Sequence, residues 1–115
     1  MTFNPVPKRR KVSSDKYRHW LKMTISKCEV CWHLGRRQCS RRLEVHHVLA
    51  RGKGGDDRMD NLIVLGAGVD GCHGLVMQEG VTTELLQEAL ADRLSNWKDH
   101  GIMGTVKRRF PEVMD

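Results

Sequence analysis

The sequence predicts a small α+β domain: two short strands and a short helix, with a longer helix on each flank. Three observations carry that fold class. From Leu43 to Val48, apolar Leu43, Val45 and Val48 bracket His46 and His47, as in a short strand whose neighbouring side chains point to opposite faces. Leu62 to Leu65 is an apolar run short enough to be a buried strand. Cys72 to Glu79 has no breaker but Gly74 and stops at Gly80, so it can form a short helix. A polar loop with Gly52, Gly54, Gly55, Asp56 and Asp57 joins the strands, and Gly66, Gly68 and Gly71 make a second loop before the helix.

The flanks follow. Ser14 to Ser26 reads as a helix, with Ser13 or Ser14 as N-cap and Asp15 in its first turn. Tyr17, Trp20, Leu21, Met23 and Ile25 give an imperfect apolar face, and His19 reads as surface. Val81 to Trp97 reads as the longer helix, started by Thr82 or Thr83. Leu85, Leu86, Ala89, Leu90, Leu94 and Trp97 recur at helical spacing, a core or dimer stripe. Gly101 and Gly104 break that pattern, so 101–115 is expected to be a tail, in which Thr105 to Phe110 is a short strand or extended chain. Met1 to Ser13 has no apolar periodicity and reads as a flexible basic arm. The expected organisation is an arm (1–13), one domain (14–100) whose core motif spans 43–77, and the tail.

Composition narrows the function. The chain has 115 residues, 5% aromatic and 30% charged, so the core is modest and a metal staple would help. No apolar run approaches a membrane span and no signal peptide is visible, so a soluble cytoplasmic protein is expected. The net charge of +6 is uneven. Residues 1–55 hold fourteen Lys and Arg against three acids, and the remainder six against eleven. The N-terminal half is therefore the expected polyanion-facing part. Its candidates are Lys8, Arg9, Arg10 and Lys11 in the arm, then Arg36, Arg37, Arg41, Arg42, Arg51 and Lys53 around the His pair. Arginine suits bidentate phosphate contact.

The chemistry-bearing residues are histidines and cysteines. Adjacent strand residues diverge, so His46 and His47 should have different jobs. One can face a metal shared with His73 while the other faces substrate as a base. Asn61, opening the second strand, can tie the long loop back beside the pair. Cys28 and Cys31 have the spacing of a zinc knuckle, in which two thiolates share one tetrahedral ion. Cys39 is the expected fourth ligand, with His33 as competitor and a free buried thiol as the other alternative.

In this order and spacing, His47, Asn61 and His73, with the Gly-Gly-Asp segment and the Asn-Leu step, resemble the HNH nuclease motif. That family folds as a ββα-metal finger and occurs in many phage and bacterial endonucleases. The resemblance implies that His46 and His73 are metal ligands, that His47 is the general base, and that Asn61 holds the loop and so positions His47. It also implies that Cys72 is the third zinc ligand, and that products carry 5′-phosphate and 3′-hydroxyl ends. Two positions depart from the pattern. Met77 stands where many members carry a further His, and Gly66 where many carry a second-pair Cys.

The expected function is a metal-dependent DNA endonuclease, expected to be phage or mobile-element encoded and to work in a bacterial cell, alone or within a larger phage or recombination machinery. Its cofactors would be a structural zinc and a catalytic divalent ion: magnesium, manganese, nickel or zinc. The alternatives are a non-catalytic zinc-finger nucleic-acid-binding module, which needs neither His47 nor Asn61, and an interaction protein built on a degenerate nuclease fold. Oligomeric state is left open.

Overall fold

The computed structural model describes residues 11–78 and 80–114. Its elements in order are helix α1 (Asp15–Ile25), helix α2 (Glu29–His33), strand β1 (Leu43–His47), strand β2 (Leu62–Gly66), helix α3 (Cys72–Met77), helix α4 (Thr83–Asp99) and helix α5 (Ile102–Arg109). Single 3-10 turns lie at Arg51–Lys53, Met59–Asn61 and Pro111–Val113. The small α+β class, with the strand–loop–strand–helix order, is as expected.

The strands pair antiparallel, with Val45 opposite Val64, His46 opposite Ile63 and His47 opposite Leu62. Opposed residues share a face, so the pairing sorts the side chains into two sets. Val45, Leu62 and Val64 join Tyr17, Leu21, Ile25 and Trp97 in one apolar cluster. Ile63 and Leu65 join Val30, Leu86, Leu90 and three of the cysteines in the other. Burial on both faces is why β2 reads as an unbroken apolar run rather than an alternating one.

A hairpin has an exposed edge, and here β2's edge is covered by a buried ion pair. The Val64 N–H donates to Glu29 Oε2 at 2.7 Å, and Arg93 donates to the Leu62 carbonyl. Arg93 Nε meets Glu29 Oε1 at 2.8 Å with both side chains less than a tenth exposed. Helices α2 and α4 thereby satisfy the edge that would otherwise be free to pair with another chain.

Ser14 caps α1, its Oγ accepting from the Tyr17 N–H at 3.2 Å, and Tyr17, Leu21 and Ile25 are the buried face. Thr82 caps α4 in the same way through the Leu85 N–H. Leu86, Ala89, Leu90, Arg93 and Trp97 form that helix's buried stripe, so the stripe is core.

Two expected boundaries are corrected. Within the expected tail, residues 101–114 are folded: α5 and the turn after it bring Val106, Phe110 and Val113 into the α1 cluster, all three buried. Each such burial is worth about 1.5–3 kcal/mol, more than the roughly 1 kcal/mol that Gly104 costs within a helix. Gly101, at φ 76°, is the turn between α4 and α5 rather than the end of order. The arm also ends earlier than residue 13. Val12 N–H donates to Asp56 Oδ2 at 2.9 Å, and its carbonyl accepts from the Asp57 N–H at 3.0 Å. Lys8, Arg9 and Arg10 lie outside the described residues.

Candidate active site and cysteine cluster

His46 and His47 diverge, as a strand requires. His46 turns to the α3 side, where its ring lies 5.1 Å from that of His73, centroid to centroid and edge-on at 61°. Burial holds the His46 pKa below its ordinary value, and the neighbouring His73 and His47 lower it further. A neutral ring is the metal-binding form. Two imidazoles converging from β1 and the first turn of α3 are a donor set that fits a divalent ion. Glu44, two residues before His46 and so on the same face, hydrogen-bonds His73 Nδ1. A carboxylate on that nitrogen leaves Nε2 as the atom that could reach a metal ion, the arrangement that supports metal-bound imidazoles. The side chain of Met77 lies outside what the structure describes.

His47 turns to the other side, where Nε2 lies 2.7 Å from Asp57 Oδ1. Asp57 is fully buried and its carboxylate also accepts from the Ser14 N–H at 2.7 Å, from Arg18 and from Arg51. Burial alone would raise its pKa, but these donors together hold the carboxyl below its ordinary range. Asn61 binds the loop at three points: its Oδ1 accepts from the Leu49 N–H at 2.7 Å, and its Nδ2 donates to the carbonyls of Leu49 (3.1 Å) and Asp56 (2.9 Å). Asn61 therefore pins both ends of the 49–56 loop beside the His pair.

The four cysteines gather. Sγ of Cys28, Cys31, Cys39 and Cys72 all lie within 4.8 Å of one another, and all four thiols are free. Cys31 and Cys72 are 3.6 Å apart, close to the edge of about 3.8 Å that zinc–sulfur bonds of about 2.3 Å give a tetrahedron. His33 instead meets Asp92 at 3.1 Å. Burial pushes the Cys28 and Cys72 thiols up. At Cys31, burial is outweighed by hydrogen bonds from Arg36 and the neighbouring sulfurs, which bring it down to about 7. Four such groups at this distance suit a soft cation that takes them as thiolates.

The basic residues separate into groups. Arg36, expected at the DNA rim, donates to Cys31 Sγ at 3.4 Å and to Cys72 Sγ at 3.0 Å, so its guanidinium is engaged by the cysteine cluster. Arg51 stands beside His47 rather than on an outer rim, and Lys11 donates to its carbonyl at 3.0 Å. Arg41 and Arg42 line a shallow depression with Lys22 and Glu44, and Arg37 and Arg41 line the next with Lys27. Lys53 is exposed.

Three residues at the site escaped the sequence reading. Glu44 was findable, since it precedes His46 by the two residues that share a strand face. Lys22 lies on the polar side of its helix, where a lysine carries no signal of what it faces. Asp57 gave no signal of its own, standing beside Asp56 in a glycine-rich polar loop.

A two-stranded hairpin, a following short helix, a divergent His pair and a four-cysteine cluster together have the arrangement of a ββα-metal finger beside a group of thiols that could hold a metal ion. The family model described as HNH endonuclease matches residues 28–66. That segment, about a third of the chain, contains Cys28, Cys31, Cys39, His46, His47 and Asn61, and the resemblance read from the sequence is upheld. Cys72 and His73 lie beyond it and are joined to it by the fold. No curated protein and no solved structure matches the chain. Among the described residues, no helix is long and apolar enough to cross a membrane.

Proposed function

We propose that this protein is a metal-dependent DNA endonuclease. The observation that carries the reading is the sorting of histidines at one end of the hairpin: His46 with His73 on the α3 side, His47 with Asp57 on the other. A zinc-binding module has no use for that division. In the proposed mechanism His46 and His73 hold a divalent ion. When bound, it supplies charge stabilisation to the attacked phosphate and the leaving 3′ oxygen. His47 takes the proton from a water placed in line with that bond. Asn61 keeps the loop, and with it His47, in place. Lys22, Arg37, Arg41 and Arg42 hold flanking phosphates along the two neighbouring depressions they line, and the arm cations Lys8, Arg9 and Arg10 add further contacts. Cys28, Cys31, Cys39 and Cys72 hold a structural zinc, closed to substrate.

The test is nicking of supercoiled plasmid with EDTA and with a series of magnesium, manganese, nickel and zinc, beside His47→Ala. Cleavage that needs added metal and is lost in the variant supports the reading. DNA binding without cleavage under every metal would replace it with the binding module.

A further inference from the structure

We propose that Asp57 is the positioning residue for His47: it fixes which ring nitrogen stays free to take a proton, and through it the N-terminal segment is joined to the reacting centre. The catalytic consequence rests on the nuclease reading; the orientation itself does not.

The argument starts from what each atom can do. A carboxylate with a depressed pKa only accepts, so at 2.7 Å from Asp57 Oδ1 the His47 Nε2 must carry a proton. Arg51 Nε stands 3.3 Å from the same nitrogen and only donates, which asks for the opposite tautomer. Both demands cannot be met. The Asp57 contact is shorter and charge-assisted. Arg51 is also satisfied elsewhere, its Nη2 donating to both Asp57 oxygens at 3.1 and 3.3 Å. The ring therefore keeps its proton on Nε2 and its lone pair on Nδ1.

Asp57 can impose this because it cannot move. Its side chain is fully buried, and Oδ2 is held by the Ser14 N–H and Arg18 while its own N–H is held by the Val12 carbonyl. Oδ1 is thus presented to His47 from a fixed position. The competing explanation is an ion network that merely anchors α1 to the loop. Ser14, Arg18 and Arg51 would satisfy that network without the imidazole, and it predicts no effect on the ring's tautomer.

The experiment is a long-range nitrogen–proton correlation spectrum of the full chain labelled with ¹⁵N-histidine, recorded in the neutral-ring form. The expected result is a protonated Nε2 and an unprotonated Nδ1 at His47. A protonated Nδ1 overturns the proposal, and this needs no variant to fold. In Asp57→Asn the tautomer population should shift. The kcat for plasmid nicking should fall about a hundredfold or more, while KM and bound zinc stay within about twofold of the parent. Asp56→Asn, which loosens the same loop without touching His47, should retain kcat. Equal losses in the two variants, or an unchanged tautomer in Asp57→Asn, would show the network to be structural only. If the parent cuts no DNA with any metal, the nuclease reading fails while the spectrum still decides the orientation.

Discussion

A Cβ added to Gly66 would come within 2.3 Å of the Cys39 sulfur. The two residues therefore exclude each other's side chains. Cys39, arriving from the loop before β1, occupies the space at the end of β2 and also accepts from the Cys72 N–H at 3.3 Å. That relationship explains the departure at Gly66: the fourth sulfur comes from another segment, and the glycine leaves it room.

Gly66→Ala should therefore eject Cys39 from the cluster. The expected outcome is protein that loses zinc to a weak chelator and unfolds several degrees below the parent, because metal-binding energy here is folding energy. Gly104→Ala, where an added Cβ meets nothing within 4 Å, should keep its zinc and gain up to about 1 kcal/mol. Metal analysis and thermal melts of the two variants check both. Full zinc retention in Gly66→Ala would mean Cys39 is not a ligand.

Asn61→Ala removes three hydrogen bonds to the loop. At about 0.5–1.5 kcal/mol each, partly compensated by water, a loss of about 1–3 kcal/mol is expected. Faster hydrogen exchange of the Leu49 amide should accompany it. A variant as stable as the parent, with Leu49 still protected, would remove Asn61 from the loop-holding role.

How much of this was legible in the sequence depended on whether the signal was local. His46, His47, Asn61 and the Cys28–Cys31 pair stand in a spacing set by two strands and a turn, so their order carried their placement. Cys39 had no spacing signal and was reached by elimination. Asp57 was not legible, because its partners come from residues 14, 18, 47 and 51 and loop residues have no periodicity to betray burial. Residues 101–109 were misread for the opposite reason: two glycines gave a local signal that the burial of Val106, Phe110 and Val113 overrides.

The arm can be divided by truncation. Removing residues 1–10 should leave the fold intact, weaken DNA binding and flatten its salt dependence, since fewer phosphates are neutralised. Removing residues 1–13 also takes the Val12 bonds to Asp56 and Asp57, so stability should fall by about 1–2 kcal/mol. Salt-titrated binding and urea melts separate the effects. Equal stabilities of the two truncations would contradict the docking of Val12.

Stability should fall in two acid steps in the absence of added divalent metal. His46, lowered chiefly by burial, binds its proton less readily than in the unfolded chain. Its contribution is present above the unfolded value of 6.5 and lost as pH falls below it toward the folded pKa. Burial would raise Asp56, but the Val12 N–H and Arg58 more than reverse this, and Asp57 is lowered likewise. Their contributions are present above the unfolded value of 3.8 and lost as pH falls below it toward the folded pKa values. Urea midpoints against pH should show both steps. His46→Ala should abolish the first and Asp56→Asn should shrink the second.

The division of labour proposed for the two adjacent histidines is read out by metal-titrated nicking of supercoiled DNA by His46→Ala, His47→Ala and His73→Ala, with calorimetric metal binding alongside. His47→Ala should lose about a hundredfold or more in rate with metal affinity nearly unchanged. His46→Ala and His73→Ala should bind metal weakly and recover part of their activity at high metal concentration. A His47→Ala variant that loses the metal while His46→Ala keeps it would reverse the assignment, and three variants that cut like the parent would place the chemistry elsewhere.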